Sequence, residues 1–218
     1  MDWSPFLLSV RVATVATVLV TLVGVPLSVL MARGRFVGKS VLQTVLMLPM
    51  VLPPTVVGYY LLLLLGRHGP LARWLGVNLI FTWMAAVIAS AVVALPLMIL
   101  PTKAAIESVP PLLERAARTL GSPEWEVLWR ITLPLARRGV LAGMVLSFAR
   151  ALGEFGATLM VAGNIPGKTQ TLPLAIYDAV QLGRLRSAHL SVLLMTLVSF
   201  AAMWIVNRLQ AHHSWRGS

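Results

Sequence analysis

Five long apolar runs, at about residues 5–31, 41–65, 81–100, 139–162 and 188–205, constrain this chain more than any other feature. Each has about 20 residues or more, enough for a helix to cross the hydrocarbon of a bilayer. Hydrocarbon offers no partner to a backbone N–H or C=O, so a spanning segment must close its hydrogen bonds within itself. The expected class is therefore all-α and polytopic. Composition agrees, since 58% of the residues are hydrophobic and only 11% charged, which argues against a soluble domain. The net charge of +11 invites a nucleic-acid partner, but beside five apolar runs it reads as membrane topology, with lipid as the surroundings and no nucleic acid expected. The absence of cysteine excludes disulfides and thiolate metal sites. The first run lacks the basic leader and small-residue cleavage site of a signal peptide, so it is expected to remain as an anchor.

Between the third and fourth runs, residues 102–138 form a polar loop that must face water. Pro110-Pro111 opens a segment of good helix formers, Leu112 to Leu120, and Gly121 suits a left-handed cap at its end. Ser122 is placed to cap a second helix with Pro123 in its first turn, and Glu124 and Glu126 lie where a helix N-terminus favours negative charge. That helix is expected to stop near Leu133, because Pro134 lacks the donor a helix interior needs. The prediction is a hook: a helix, a glycine corner and a short helix.

Two spans carry unusual residues. The second holds Pro49, Pro53, Pro54 and then Gly58; such prolines free carbonyls that need protein or a wet cavity, so this span is either a buried kink or part of a translocation path. The fourth carries Gly139, Gly143, Ser147 and Ala151 four apart, a stripe that lets another helix approach closely and marks an internal packing face or a dimer face. Arg150 and Glu154, also four apart, are expected to pair, either as a structural ion pair or as a gate.

Gly163-Asn-Ile-Pro-Gly-Lys-Thr169 superficially suggests a phosphate loop, but three residues separate its glycines where four are required, and it follows a span instead of a strand. Leu172 to Leu182 is expected to form a short helix at the outer surface. His212 and His213, in the tail, are expected to be solvated. No catalytic residues and no metal site are expected. With the hook inside, eleven of the 18 basic residues fall on inner segments and five on outer loops, which places the N-terminus outside and the C-terminus in the cytoplasm.

The spacing of Ala116-Ala117, Gly121 and Ile131-x-Leu133-Pro134 resembles the EAA motif of ABC importer permeases. Arg115 stands where that motif usually has glutamate, with Glu114 one residue earlier. The stretches LPMVLPPTVVGYYLL, ARTLG, ARALGEFGAT and NIPGKTQTLPLAIY resemble the molybdate permease branch, and together they cover most of Leu48 to Tyr177. This resemblance implies a type I importer permease fold with a cytoplasmic coupling helix. It implies a homodimer, two ATP-binding cassette ATPases, and a periplasmic or surface-anchored binding protein that delivers molybdate or tungstate. ATP and Mg would sit on the ATPase, with no cofactor in this chain and no bond chemistry of its own. Glu114, Ala116, Ala117, Gly121, Ser122, Pro123, Ile131, Leu133 and Pro134 would couple to the ATPase. Pro49, Pro53, Pro54, Gly58, Arg150 and Glu154 would belong to the pathway or gate, and Asn164 and Lys168 would meet the binding protein. Sulfate or thiosulfate permeases share the hook and remain an alternative. A secondary transporter or membrane enzyme subunit is the alternative of another class, although a proton-coupled carrier would place several acids in its spans and only Glu154 qualifies.

Overall fold

The computed structural model describes residues 3–67, 69–70, 73 and 79–211, with side chains to 208. His68, His212, His213 and Arg216 lie outside the described residues. Among the described residues the regular structure is entirely helical: α1 (Ser4–Arg33), α2 (Lys39–Val51), α3 (Pro54–Leu65), α4 (Trp83–Glu107), α5 (Pro111–Thr119), α6 (Glu124–Leu152), α7 (Gly156–Ala162), α8 (Leu172–Gln181) and α9 (Leu185–Ala211). The helices α1, α4, α6 and α9 are each long and apolar enough to span a membrane, and α2 with α3 makes a fifth span if the bent pair is counted as one.

The centre of the bundle is α4, with α1 and α6 packed on it. Of its apolar stretch 56% is buried, against 11% for α9, which is accordingly the peripheral helix with most of its side chains facing outward. Small side chains set the closeness of the packing. A Cβ on Gly143 would come within 2.9 Å of Met98 Sδ and 3.0 Å of the Met98 carbonyl, and one on Gly139 within 2.7 Å of the Pro101 carbonyl. Ser147, fully buried, donates to the Ala94 carbonyl at 3.3 Å. The four-residue stripe of α6 is thus an internal face against α4. On α1, Gly24 meets Met98, and Ser28 reaches both the Gly24 and Ile99 carbonyls.

Three expected helix boundaries differ. The second span is broken: Leu52 and Pro53 are extended and α3 leaves α2 at 115°. The cause is Pro53 and Pro54, each of which disfavours helical backbone in the residue before it. Pro49 stays inside α2. The fourth span is broken as well, because α6 ends at Leu152 and α7 starts only at Gly156. Finally, Pro134 does not end the hook's second helix. A π turn over Leu128–Thr132 sends the Leu133 N–H to the Leu128 carbonyl, five residues back, so the ladder is already open where the proline donor is missing. The second helix of the hook and the fourth span are therefore one continuous rod, α6.

The two ends of the bundle are chemically distinct. At one, the buried Ser9 hydroxyl of α1 accepts the Leu172 N–H of α8 at 2.6 Å, beside the loop that carries Lys168. At the other, Arg33, at the end of α1, meets the hook. At 1.5 Å per residue the 24 steps of α1 from Ser9 to Arg33 separate these contacts by about 36 Å, enough to cross the hydrocarbon of a bilayer. Single cysteines placed at Lys168 and Ser122 are accordingly expected to react with an impermeant thiol reagent from opposite faces of the membrane. Labelling of both from one face would show that α1 does not span.

Candidate functional site

The hook is built from short-range rules. α5 starts with proline and ends in a left-handed corner at Gly121, whose φ is +88°. The Gly121 N–H reaches the Arg118 carbonyl at 3.0 Å and the Ser122 N–H reaches the Ala117 carbonyl at 3.1 Å, the paired bonds of a Schellman turn. A Cβ at Gly121 would meet nothing within 4 Å, so glycine is required there by backbone conformation and not by space. Ser122 makes no side-chain cap. It stands two residues before Glu124, one too early, and Pro123 takes the cap position.

Across the corner Arg118 grips Glu124 through two hydrogen bonds, Nε to Oε1 at 2.6 Å and Nη2 to Oε2 at 3.1 Å. The carboxylate raises the already high Arg118 pKa, so the clasp keeps its charge at any physiological pH. Arg118 also lies 3.8 Å from Glu114, and Glu114 lies 2.7 Å from Arg33, giving a chain of alternating charge from the end of α1 to the start of α6.

The surface presented outward is partly apolar. Leu120 is 87% exposed, and Trp125 and Trp129, four apart and so on one face of α6, are each 66% exposed. Arg115, Ala116 and Pro123 are exposed beside them, Ala117, Ile131 and Leu133 are half-buried, and Pro134 is exposed further along the rod. Glu114 alone of the expected coupling residues is buried. Sequence reasoning missed the two tryptophans and the Arg33–Glu114–Arg118–Glu124 network. Two tryptophans four apart in a charged stretch were a readable signal, whereas a partner 81 residues away was not.

The two helix breaks come together. The start of α7 packs on α3: a Cβ on Gly156 would lie 3.1 Å from Pro54 Cβ, and one on Gly58 within 2.7 Å of Met160 Cβ and 2.9 Å of Ala157 Cα. Pro54, Gly58 and Glu154 are thereby neighbours in space, while Pro49 sits apart on α2, a helix with no buried residue. Glu154 is 2% exposed; its Oε1 accepts the Ala157 N–H at 2.8 Å and its Oε2 lies 2.8 Å from Arg150 Nη1. The carboxylate satisfies one of the donors orphaned where the span restarts, and the arginine balances its charge. Of the two residues expected to meet the binding protein, Lys168 is exposed, while Asn164 turns inward with Oδ1 buried. Thr169 is fully buried, its hydroxyl held by the Gly163 carbonyl and the Ile165 N–H.

The Arg150–Glu154 pair gives a test. Removing one partner of a buried pair costs about 3–5 kcal/mol, much of it from the charge left behind. Glu154→Gln and Arg150→Gln are each expected to reduce the yield of folded protein more than the double change does, as read by thermal unfolding in detergent. Additive losses would show that the two side chains do not depend on each other.

Residues 24–216 match the family described as the binding-protein-dependent transport system inner membrane component. The chain is 42% identical to the molybdenum transport system permease protein ModB of Escherichia coli K12 over 213 residues, covering 94% of this chain and 93% of that one. It is 45% identical to ModB of Haemophilus influenzae, covering 83% of each. Sulfate permease 2 of the Chlamydomonas reinhardtii chloroplast is 35% identical over 93% of this chain but 56% of its own length. Among solved structures, the MetNI methionine ABC transporter in an inward-facing conformation superposes with a TM-score of 0.69 at 18% identity, covering 94% of each chain. A bacterial alginate ABC transporter in complex with its periplasmic protein superposes at 0.66 and 19%, covering 96% of this chain and 78% of that one. With its helices long enough to span a membrane, its hook and its broken spans, this chain belongs to the family of inner membrane components of binding-protein-dependent transport systems.

Proposed function

We propose that the chain is the permease of an ATP-driven importer of molybdate, able to carry tungstate as well, working as a homodimer with two ATPase subunits and an extracytoplasmic binding protein. The observation that carries this reading is the identity of 42–45% over nearly the whole chain to molybdenum permeases, on a fold shared with ABC importers. In this reading the hook faces the cytoplasm and the C-terminus lies there too, while the N-terminus and the Lys168 loop face outward toward the binding protein. ATP and its magnesium bind the ATPase subunits, which perform the hydrolysis, and the chain itself holds no cofactor. ATP binding draws the ATPases together, and the hooks carry that motion into α6, which is continuous from Glu124 in the hook to Leu152 at the second break. The exposed Leu120, Trp125 and Trp129 supply an apolar contact for the ATPase, ringed by Arg115 and Arg130.

Sulfate is the second substrate to weigh, because a sulfate permease is also a relative and sulfate is a dianion of the same shape. Vesicles holding the permease, its ATPase and its binding protein are expected to take up radiolabelled molybdate, with tungstate competing and equimolar sulfate not. Uptake suppressed equally by sulfate would assign the broader substrate class, and uptake that needs no ATPase would point to a secondary transporter.

Gly121 tests coupling. A side chain with a β-carbon in the left-handed region costs about 1 kcal/mol or more, and β-branched valine is worse. Gly121→Val should still insert and dimerise, because the spans do not include the corner. It should retain less ATPase on purification, and the remaining hydrolysis should no longer respond to loaded binding protein. Full retention, stimulation and uptake would show that the hook is an ordinary loop.

A further inference from the structure

The hook's first helix is held to the bundle in an unusual way. α5 has nine residues, and the only one buried is the acidic Glu114, 4% exposed. Its Oε1 accepts from Arg33 Nη2 at 2.7 Å and from the Thr132 hydroxyl at 2.9 Å. Arg33 Nη2 also donates to the Ile106 carbonyl in the last turn of α4, at 3.0 Å. One carboxylate therefore ties α5 to the end of α1, the end of α4 and the π turn of α6. Leu112, Leu113 and Leu120, the large apolar residues of α5 and its C-terminal end, are exposed, and the nearest apolar anchor is Val109 in the preceding connection, packed with Ile106 and Ala136. Without the carboxylate, α5 itself would be held only through its ends, at the buried Val109 of the Ser108–Pro110 connection and at the Gly121 corner.

We propose that Glu114 is a positioning residue whose partner lies within its own chain: paired with Arg33, it latches the hook to α1, α4 and α6, so that a push on the hook moves those helices instead of bending the connection at Ser108–Pro110. This rests on the importer reading only for what does the pushing. The latch is internal, since Glu114 faces the bundle while Arg115 and Ala116 face outward. It is also stiff: two donors, Arg33 and Thr132, converge on one buried carboxylate, Arg118 adds a second positive charge at 3.8 Å, and a buried ion pair stripped of one partner leaves an uncompensated charge.

The test compares Arg33→Gln, Glu114→Gln, the double variant and the charge-keeping Arg33→Lys. In the purified permease, amide exchange across α5 is expected to speed up by about tenfold in either single Gln variant and no further in the double, as for two residues of one interaction. This measurement needs neither ATPase nor substrate, so it judges the latch even where the molybdate reading fails. In the complex with ATPase and loaded binding protein, both single variants are expected to keep the ATPase subunit and its basal hydrolysis. Stimulation by the binding protein should fall about fivefold or more, within the usual range of coupling between sites, and Arg33→Lys should keep most of it. Unchanged exchange across α5 in Glu114→Gln would overturn the latch. So would loss of the ATPase subunit from Glu114→Gln but not from Arg33→Gln, because Glu114 would then be a contact with the partner, and so would effects that multiply in the double variant.

Discussion

The close approach of α6 to α4 is the contact on which the remaining architecture rests. Gly139 and Gly143 bring the backbone of α6 against the Pro101 and Met98 carbonyls, a distance any side chain would forbid, and Ser147 closes the seam with a hydrogen bond to Ala94. Apolar side chains gain little from each other inside a lipid bilayer, so this kind of backbone-to-backbone packing supplies the attraction between helices. α1 joins the same centre through Gly24 and Ser28, which makes α1, α4 and α6 a single packed unit. The hook is an extension of that unit, because its second helix is the start of α6.

The two interrupted spans meet the same constraint in a complementary way. Breaking a helix inside hydrocarbon exposes backbone groups that must find partners. Here the breaks face each other, with Pro54 and Thr55 against Gly156, so that each interruption is covered by protein. The Glu154 carboxylate takes up the Ala157 N–H, and Arg150 offsets its charge. Irregular backbone inside hydrocarbon is tolerated only where protein or water covers it; here protein covers it and the ion pair offsets the buried charge.

At the hook, polar chemistry replaces packing. The Schellman turn at Gly121 and the Arg118–Glu124 clasp fix the corner locally, while Arg33–Glu114 fixes its attitude to the bundle. The exposed apolar residues of the hook are Leu112 and Leu113 on α5 and Leu120, Trp125 and Trp129 about the corner and the start of α6. These exposed apolar residues thus sit on a part of the chain held in place by charge.

The sequence by itself determined the helical class, because runs of this length and apolarity have one economical solution in a membrane. It determined the left-handed corner too, because the glycine after a run of helix formers has few other uses, and the Arg150–Glu154 pair, because residues four apart in a helix are neighbours. The continuity of α6 through Pro134 was beyond it, since the prolyl ring is tolerated where a π turn has already shifted the ladder. The meeting of the two breaks likewise depends on α7 packing against α3, far along the chain. Whether the glycine stripe of α6 was an internal face or a dimer face was settled only by α4 lying against it. The inward turn of Glu114 has the same origin: its partner Arg33 stands at the end of another helix, and long-range ion pairs leave no periodic trace in a sequence. Local geometry is written in neighbouring residues, whereas the partners of buried charges and the covers of broken spans are chosen by the packing of distant helices.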